Sequence, residues 1–200
     1  MPRRFLRKLL CLAVAALTAL TSLTAFADNK GDILNSLGVI VNDKESDDLV
    51  TRAEFAQMLV SLGGMENLSD STVFSDVTDE YKAACSIVCK FGYMNYYEDM
   101  TFHPNDYVTR EDCAKAVVIM LGHKELAKYT GGYINAAKKL KLFKSSGADY
   151  KGYITYDEVL ELFYNALFTE TGTPGVADGV GKTLFDVFYD GDLYEGKITS

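Results

Sequence analysis

Basic residues are scarce in this 200-residue chain, with 20 lysines and arginines against 28 acids and a formal net charge of -8. That balance excludes general nucleic-acid binding, which depends on clustered cations meeting phosphate. Histidine is almost absent, with only His103 and His123, so a zinc cluster has few ligands to draw on. There is no G-x-S-x-G elbow, no H-E-x-x-H, no Walker loop and no cysteine with a histidine partner, so neither an enzyme nor a cofactor is implied. Tryptophan is missing altogether. What is present, 48% hydrophobic with 24% charged residues, is the composition of a globular protein and excludes a disordered or collagen-like one.

The charge is unevenly placed. Residues 1–27 contain Arg3, Arg4, Arg7 and Lys8 but no acid, then an apolar run from Leu9 to Leu20, then Ala25-Phe26-Ala27 ahead of Asp28. This order predicts a cleaved secretory signal over 1–27, and an exported chain of net charge -12 that keeps no membrane segment. Export bears on the cysteines. Cys85, Cys89 and Cys113 make an odd set, which is not a disulfide framework. Cys85 and Cys89 share a helix face with Ala84 and Val88 and read as small buried apolar residues.

Internal repetition carries most of the information. Val50-Thr51-Arg52-Ala53-Glu54, Val108-Thr109-Arg110-Glu111-Asp112 and Ile154-Thr155-Tyr156-Asp157-Glu158 share one pattern. Apolar residues follow each threonine at plus 4, 7, 8 and 11: Phe55, Met58, Leu59 and Leu62; Cys113, Ala116, Val117 and Met120; Val159, Leu162, Phe163 and Ala166. That spacing is one face of an amphipathic helix. Thr51 with Glu54, Thr109 with Asp112 and Thr155 with Glu158 are expected to be capping boxes, the second incomplete because Asp reaches less far than Glu. Arg52 and Arg110 occupy the first helical position, where a cation opposes the helix dipole. Beside free amides they are candidates for an anion site. A second helical stretch precedes each capped helix: Asp32–Leu37 ending at Gly38, Asp79–Phe91 ending at Gly92, and Tyr133–Leu142. The units are therefore helix, loop, capped helix, and the fold class is all-α.

These residues resemble a family. Phe74-Ser75-Asp76-Val77, Gly92, Thr101-Phe102-His103-Pro104-Asn105, Val108-Thr109-Arg110-Glu111-Asp112 and Leu121-Gly122 look like a complete S-layer homology (SLH) repeat, whose run is F-x-D-V, a helix, a Gly, G-T-F-x-P, T-R-A-E and a closing helix. The resemblance divides the chain into a short repeat 1 at 28–68, repeat 2 at 69–124, a degenerate repeat 3 at 125–169, a linker at 170–182 and a partial segment at 183–200. It implies three helix-loop-helix repeats in a pseudo-threefold assembly that holds an exported protein non-covalently on the cell envelope or S-layer. The implied partner is secondary cell-wall polysaccharide, often pyruvylated, bound in the grooves between repeats. Arg52 and Arg110 match the family's T-R-A-E arginine, and a ketal carboxylate suits bidentate bonds from Arg. Asp76 and Tyr156, which replaces Arg in the third copy, are further ligand candidates, Tyr156 by stacking on a sugar. Met100 stands where the family has Gly.

One alternative is an EF-hand calcium module, with Asp43, Glu45 and Asp47 leading to Glu54, or Gly152 and Ile154 leading to Glu158. Asp48 occupies the glycine position of the first, and the three copies do not share ligands. A helical protein-interaction module is the other. The apolar run Thr183–Tyr189 either begins a further domain or packs back on the helices, and Tyr194–Thr199 lacks partners for a sheet of its own.

Overall fold

The computed structural model describes residues 30–40, 44–70, 74–143, 150–172, 181–189, 192–194 and 197–199. The expected leader, Asp43 and most of the linker lie outside these residues. Eight helices are described: α1 (30–36), α2 (Arg52–Leu62), α3 (Lys82–Lys90), α4 (Arg110–Met120), α5 (Lys124–Thr130), α6 (Tyr133–Lys139), α7 (Tyr156–Leu167) and α8 (Leu184–Phe188). The class is helical, as the periodicity predicts. Tyr194–Thr199 needs correction: β1 (Asp192–Tyr194) and β2 (Lys197–Thr199) pair antiparallel, Leu193 opposite Ile198. The strand partner is supplied by the segment just before it.

Local chemistry starts the three long helices. Thr51 and Thr155 are extended N-caps whose hydroxyls accept from the amides of Glu54 and Glu158, while those carboxylates accept from the Thr51 and Thr155 amides at 2.8 and 2.9 Å. Each such cap is worth about 1 kcal/mol. At Thr109 the hydroxyl accepts from the Asp112 amide, but the shorter carboxylate meets only the Thr109 hydroxyl, at 2.8 Å. That second box is incomplete, although at α8 the Asp186 carboxylate does reach the Thr183 amide, at 2.8 Å, so the length of Asp alone does not decide it.

All twelve apolar positions following the three threonines are at most 3% exposed. They face one core in which α2 packs on α3, α4 on α5 and α6, and α7 on α8. The Phe55 and Phe163 rings of α2 and α7 meet at 5.5 Å. At about 1.5–3 kcal/mol for each large apolar side chain buried, this face outweighs the caps. Cys85 and Cys113 are fully buried and Cys89 partly so, all as free thiols. Burial pushes the Cys85 thiol to about 12 and that of Cys89 to about 11.

The C-terminal apolar run packs back on the helices. Thr183 caps α8 with Asp186, Leu184 and Phe185 are buried, Phe185 lies 5.3 Å from Phe168, and the Tyr189 hydroxyl donates to the Ser61 carbonyl at 3.1 Å. Gly64 accommodates this docking: its φ is +59°, and a Cβ there would lie 2.8 Å from the Phe188 ring.

Candidate functional site at the junction of the repeats

The residue before each threonine is buried and extended, and its backbone joins two copies. Val50 donates to Ile154 (3.3 Å), Ile154 to Val108 (3.1 Å) and Val108 to Val50 (3.0 Å), so the three bonds close a ring. The helix starts bond to the neighbouring copies in the opposite direction around the ring. Arg52 and Ala53 donate to the carbonyls of Asp106 and Pro104; Arg110 and Glu111 donate to Gly152 and Tyr150; Tyr156 and Asp157 donate to Asp48 and Ser46. In every case the acceptors lie three and five residues before the next copy's threonine. The first two amides of each helix are thus occupied by a neighbouring loop. This corrects the expectation of free amides beside Arg52 and Arg110: an anion finds none there.

Arg52 itself is buried, 8% exposed. Its Nε donates to the Phe102 carbonyl at 2.9 Å and one terminal nitrogen to the Asn95 carbonyl at 2.6 Å. The guanidinium carbon lies 4.7 Å from the Phe102 ring centroid and 5.6 Å from that of Tyr97. Tyr97 stacks in turn on His103, with centroids 4.0 Å apart. The cation is therefore within cation–π reach of two aromatic rings, with two of its five N–H donors committed to the second copy.

Asp76 is placed to hold that loop. Its carboxylate accepts from the amides of Phe102 (3.0 Å) and His103 (2.7 Å). Partial burial pushes its carboxyl up, but the bonds from Phe102 and His103 outweigh this and keep the pKa below the usual aspartate value. Asp76 acts on the carbonyls that receive Arg52 rather than capping a helix. The loop is bent tightly here: Met100 and His103 have φ of 63° and 57°. A left-handed residue at position 100 is the physical reason a glycine suits that place.

An open groove of about 460 Å³ lies above this junction, lined by Arg52, Tyr97, Asn105, Asp106, Tyr107, Thr109, Asp112 and Tyr153. All three copies contribute to it. Tyr107 and Tyr153 are 47% and 51% exposed, with ring centroids 5.6 Å apart. Both precede their threonine by two residues, so Tyr-Val-Thr and Tyr-Ile-Thr were a readable signal that attention to the threonines alone passes over.

Arg110 and Tyr156 stand differently. Arg110 makes a two-pronged pair with Glu158, Nε to Oε1 at 2.9 Å and a terminal nitrogen to Oε2 at 2.8 Å. Its partner is the capping glutamate of the third copy. Tyr156 is 7% exposed and presents no open ring face for a sugar. Glu54 is engaged by Thr51 and by Lys44 at 2.9 Å, so the glutamates that would close EF-hand loops serve as caps. Among the described residues no cluster of three His, Cys, Asp or Glu is placed to hold a metal. No described helix is long and apolar enough to cross a membrane.

No curated protein matches the chain. The family comparison falls on the loop that receives Arg52 and on the start of α4. Residues 73–114 match the model of the S-layer homology domain, a family of wall-anchoring, polysaccharide-binding modules rather than catalysts.

Proposed function

We propose that this chain is an exported, non-catalytic anchor that binds secondary cell-wall polysaccharide in the groove at Arg52. On this reading 28–68, 69–124 and 125–169 are three SLH repeats around an approximate threefold axis. The observation that carries it is that the matched segment, 73–114, supplies most of the groove wall and both carbonyls that hold the Arg52 guanidinium. Three N–H groups of Arg52 remain for a ketal carboxylate of a pyruvylated sugar. Asp106, Asp112 and Asn105 supply acceptors and donors for ring hydroxyls, and Tyr107 and Tyr153 supply apolar ring faces. Asp76 contributes by fixing the loop. For Arg110 to take an anion, the ligand carboxylate must replace that of Glu158, so the Arg52 groove is the stronger of the two.

The test is sedimentation with purified sacculi. The protein is expected to sediment with intact sacculi and to stay in solution with sacculi stripped of polysaccharide. Asn105→Ala with Tyr107→Ala, both exposed, should fold normally and lose affinity about tenfold, roughly 1.4 kcal/mol. Equal retention by stripped sacculi, or unaltered affinity in the double variant, refutes the groove.

A further inference from the structure

The stretch of the third copy that precedes its capped helix carries a charge opposite to that of the chain. From Lys124 to Lys151 there are seven lysines against only Glu125 and Asp149. The structure gathers most of them on one helical hairpin. α5 and α6, seven residues each, are about 10 Å long at 1.5 Å per residue. They are joined through Gly131 and Gly132 and pack on each other. Lys124 and Lys128 on α5, Lys138 and Lys139 on α6, and Lys141 just beyond are all exposed.

Little nearby offsets this charge. Lys128 pairs with Glu125 at 2.7 Å, and Lys138 rests 4.4 Å from the Tyr150 ring centroid while keeping its charge. Lys124, Lys139 and Lys141 have no ion-pair partner among the described residues. On a hairpin this small the cations lie within one to two Debye lengths, about 8 Å each in physiological salt, and act as one field. Like charges so placed repel and add nothing to helix stability. They do suit a ligand with regularly repeated negative charge.

We propose that the α5–α6 hairpin is a docking surface for a polyanionic polysaccharide chain, one bearing repeated carboxylate or phosphodiester groups. It is distinct from the groove, which none of these lysines lines. Only the identity of the polymer as a wall component rests on the anchoring proposal; the charge complementarity does not. The surface suits a hydrated polymer better than a membrane. Tyr129, at 86% exposure, is the large apolar side chain it presents, and Leu126 is half-buried, so there is no apolar face to insert.

The experiment titrates the full chain with polygalacturonate, poly(glycerol phosphate), neutral dextran and phosphatidylglycerol vesicles at several salt concentrations. Binding to one or both polyanions is expected, weakening as salt rises, with none to dextran; the two polymers distinguish carboxylate from phosphodiester. Lys124→Gln, Lys138→Gln, Lys139→Gln and Lys141→Gln together should weaken polyanion binding at least about tenfold and flatten its salt dependence. The same four positions changed to Arg control for folding and should bind as well as lysine. Equal binding to dextran, an unaffected Gln variant, or tighter binding to vesicles than to either polymer overturns the proposal. The Asn105→Ala/Tyr107→Ala variant separates the two sites: losing sacculi while keeping polyanions leaves the hairpin standing.

Discussion

Replacing Asp76 tests how one carboxylate supports the junction between copies. In Asp76→Ala the amides of Phe102 and His103 lose charge-assisted acceptors at 3.0 and 2.7 Å. Bonds to charged groups are worth about 1.5–3 kcal/mol each. The Asp76 side chain is only half-buried, and water can replace part of the loss, so about 2 kcal/mol for the pair is the working figure. The damage does not stop at the loop. Phe102, Pro104 and Asp106 are the carbonyls that receive Arg52 Nε and the amides of Ala53 and Arg52. Urea unfolding is the assay. With m near 2 kcal/mol/M for a chain of this size, the midpoint should fall by about 1 M. Asp76→Asn keeps a neutral acceptor and should lose about half as much. The pH dependence separates charge from shape. Because the folded pKa is depressed, the carboxylate's contribution is complete above the unfolded value near 3.8 and is lost as pH falls through the lower folded pKa. Wild type should therefore converge on Asp76→Asn below pH 4. A midpoint change under about 0.3 M for Asp76→Ala, or a constant gap down to low pH, refutes the assigned role.

Two further substitutions test the backbone argument. Met100→Gly relieves a left-handed residue, worth about 1–2 kcal/mol, against about 0.4–1 kcal/mol of extra unfolded-state entropy. Met100 is 47% exposed, so little packing is lost, and thermal melting should show a net gain of about 0.5–1 kcal/mol. Asp112→Glu should complete the second capping box by reaching the Thr109 amide, and a gain of about 0.5 kcal/mol in urea unfolding checks it.

The capped helices were legible because their signals are local. A threonine, an acid three residues on and four apolar positions lie within one stretch of chain, and the structure repeats this at 51, 109 and 155. Helix α8 carries the same cap in Thr183 and Asp186, but its five residues hold too little periodicity to be read as a helix. Helix α5 has no side-chain cap at His123 and buries only Ala127, so packing on α4 and α6 decides it. The site was half legible. Arg52 could be singled out because a cation at a helix start has no local benefit. The occupation of its amide by Asp106 and the pairing of Arg110 with Glu158 could not, since both join residues about fifty apart in sequence. The groove's tyrosines were on the page as Tyr-x-Thr in two copies, but only the ring of backbone bonds shows that they converge.

That ring has a consequence for what a shorter chain would do. Each copy meets one neighbour through the start of its capped helix and the other through the loop before its threonine, so the contact between copies is head to tail rather than mutual. Three such contacts close on themselves. Two leave one helix-start face and one loop face unfilled, each with donors and acceptors that the other matches. A chain cut after the second copy is therefore expected to self-associate, because the bonds that the third copy satisfies within one molecule would be left open.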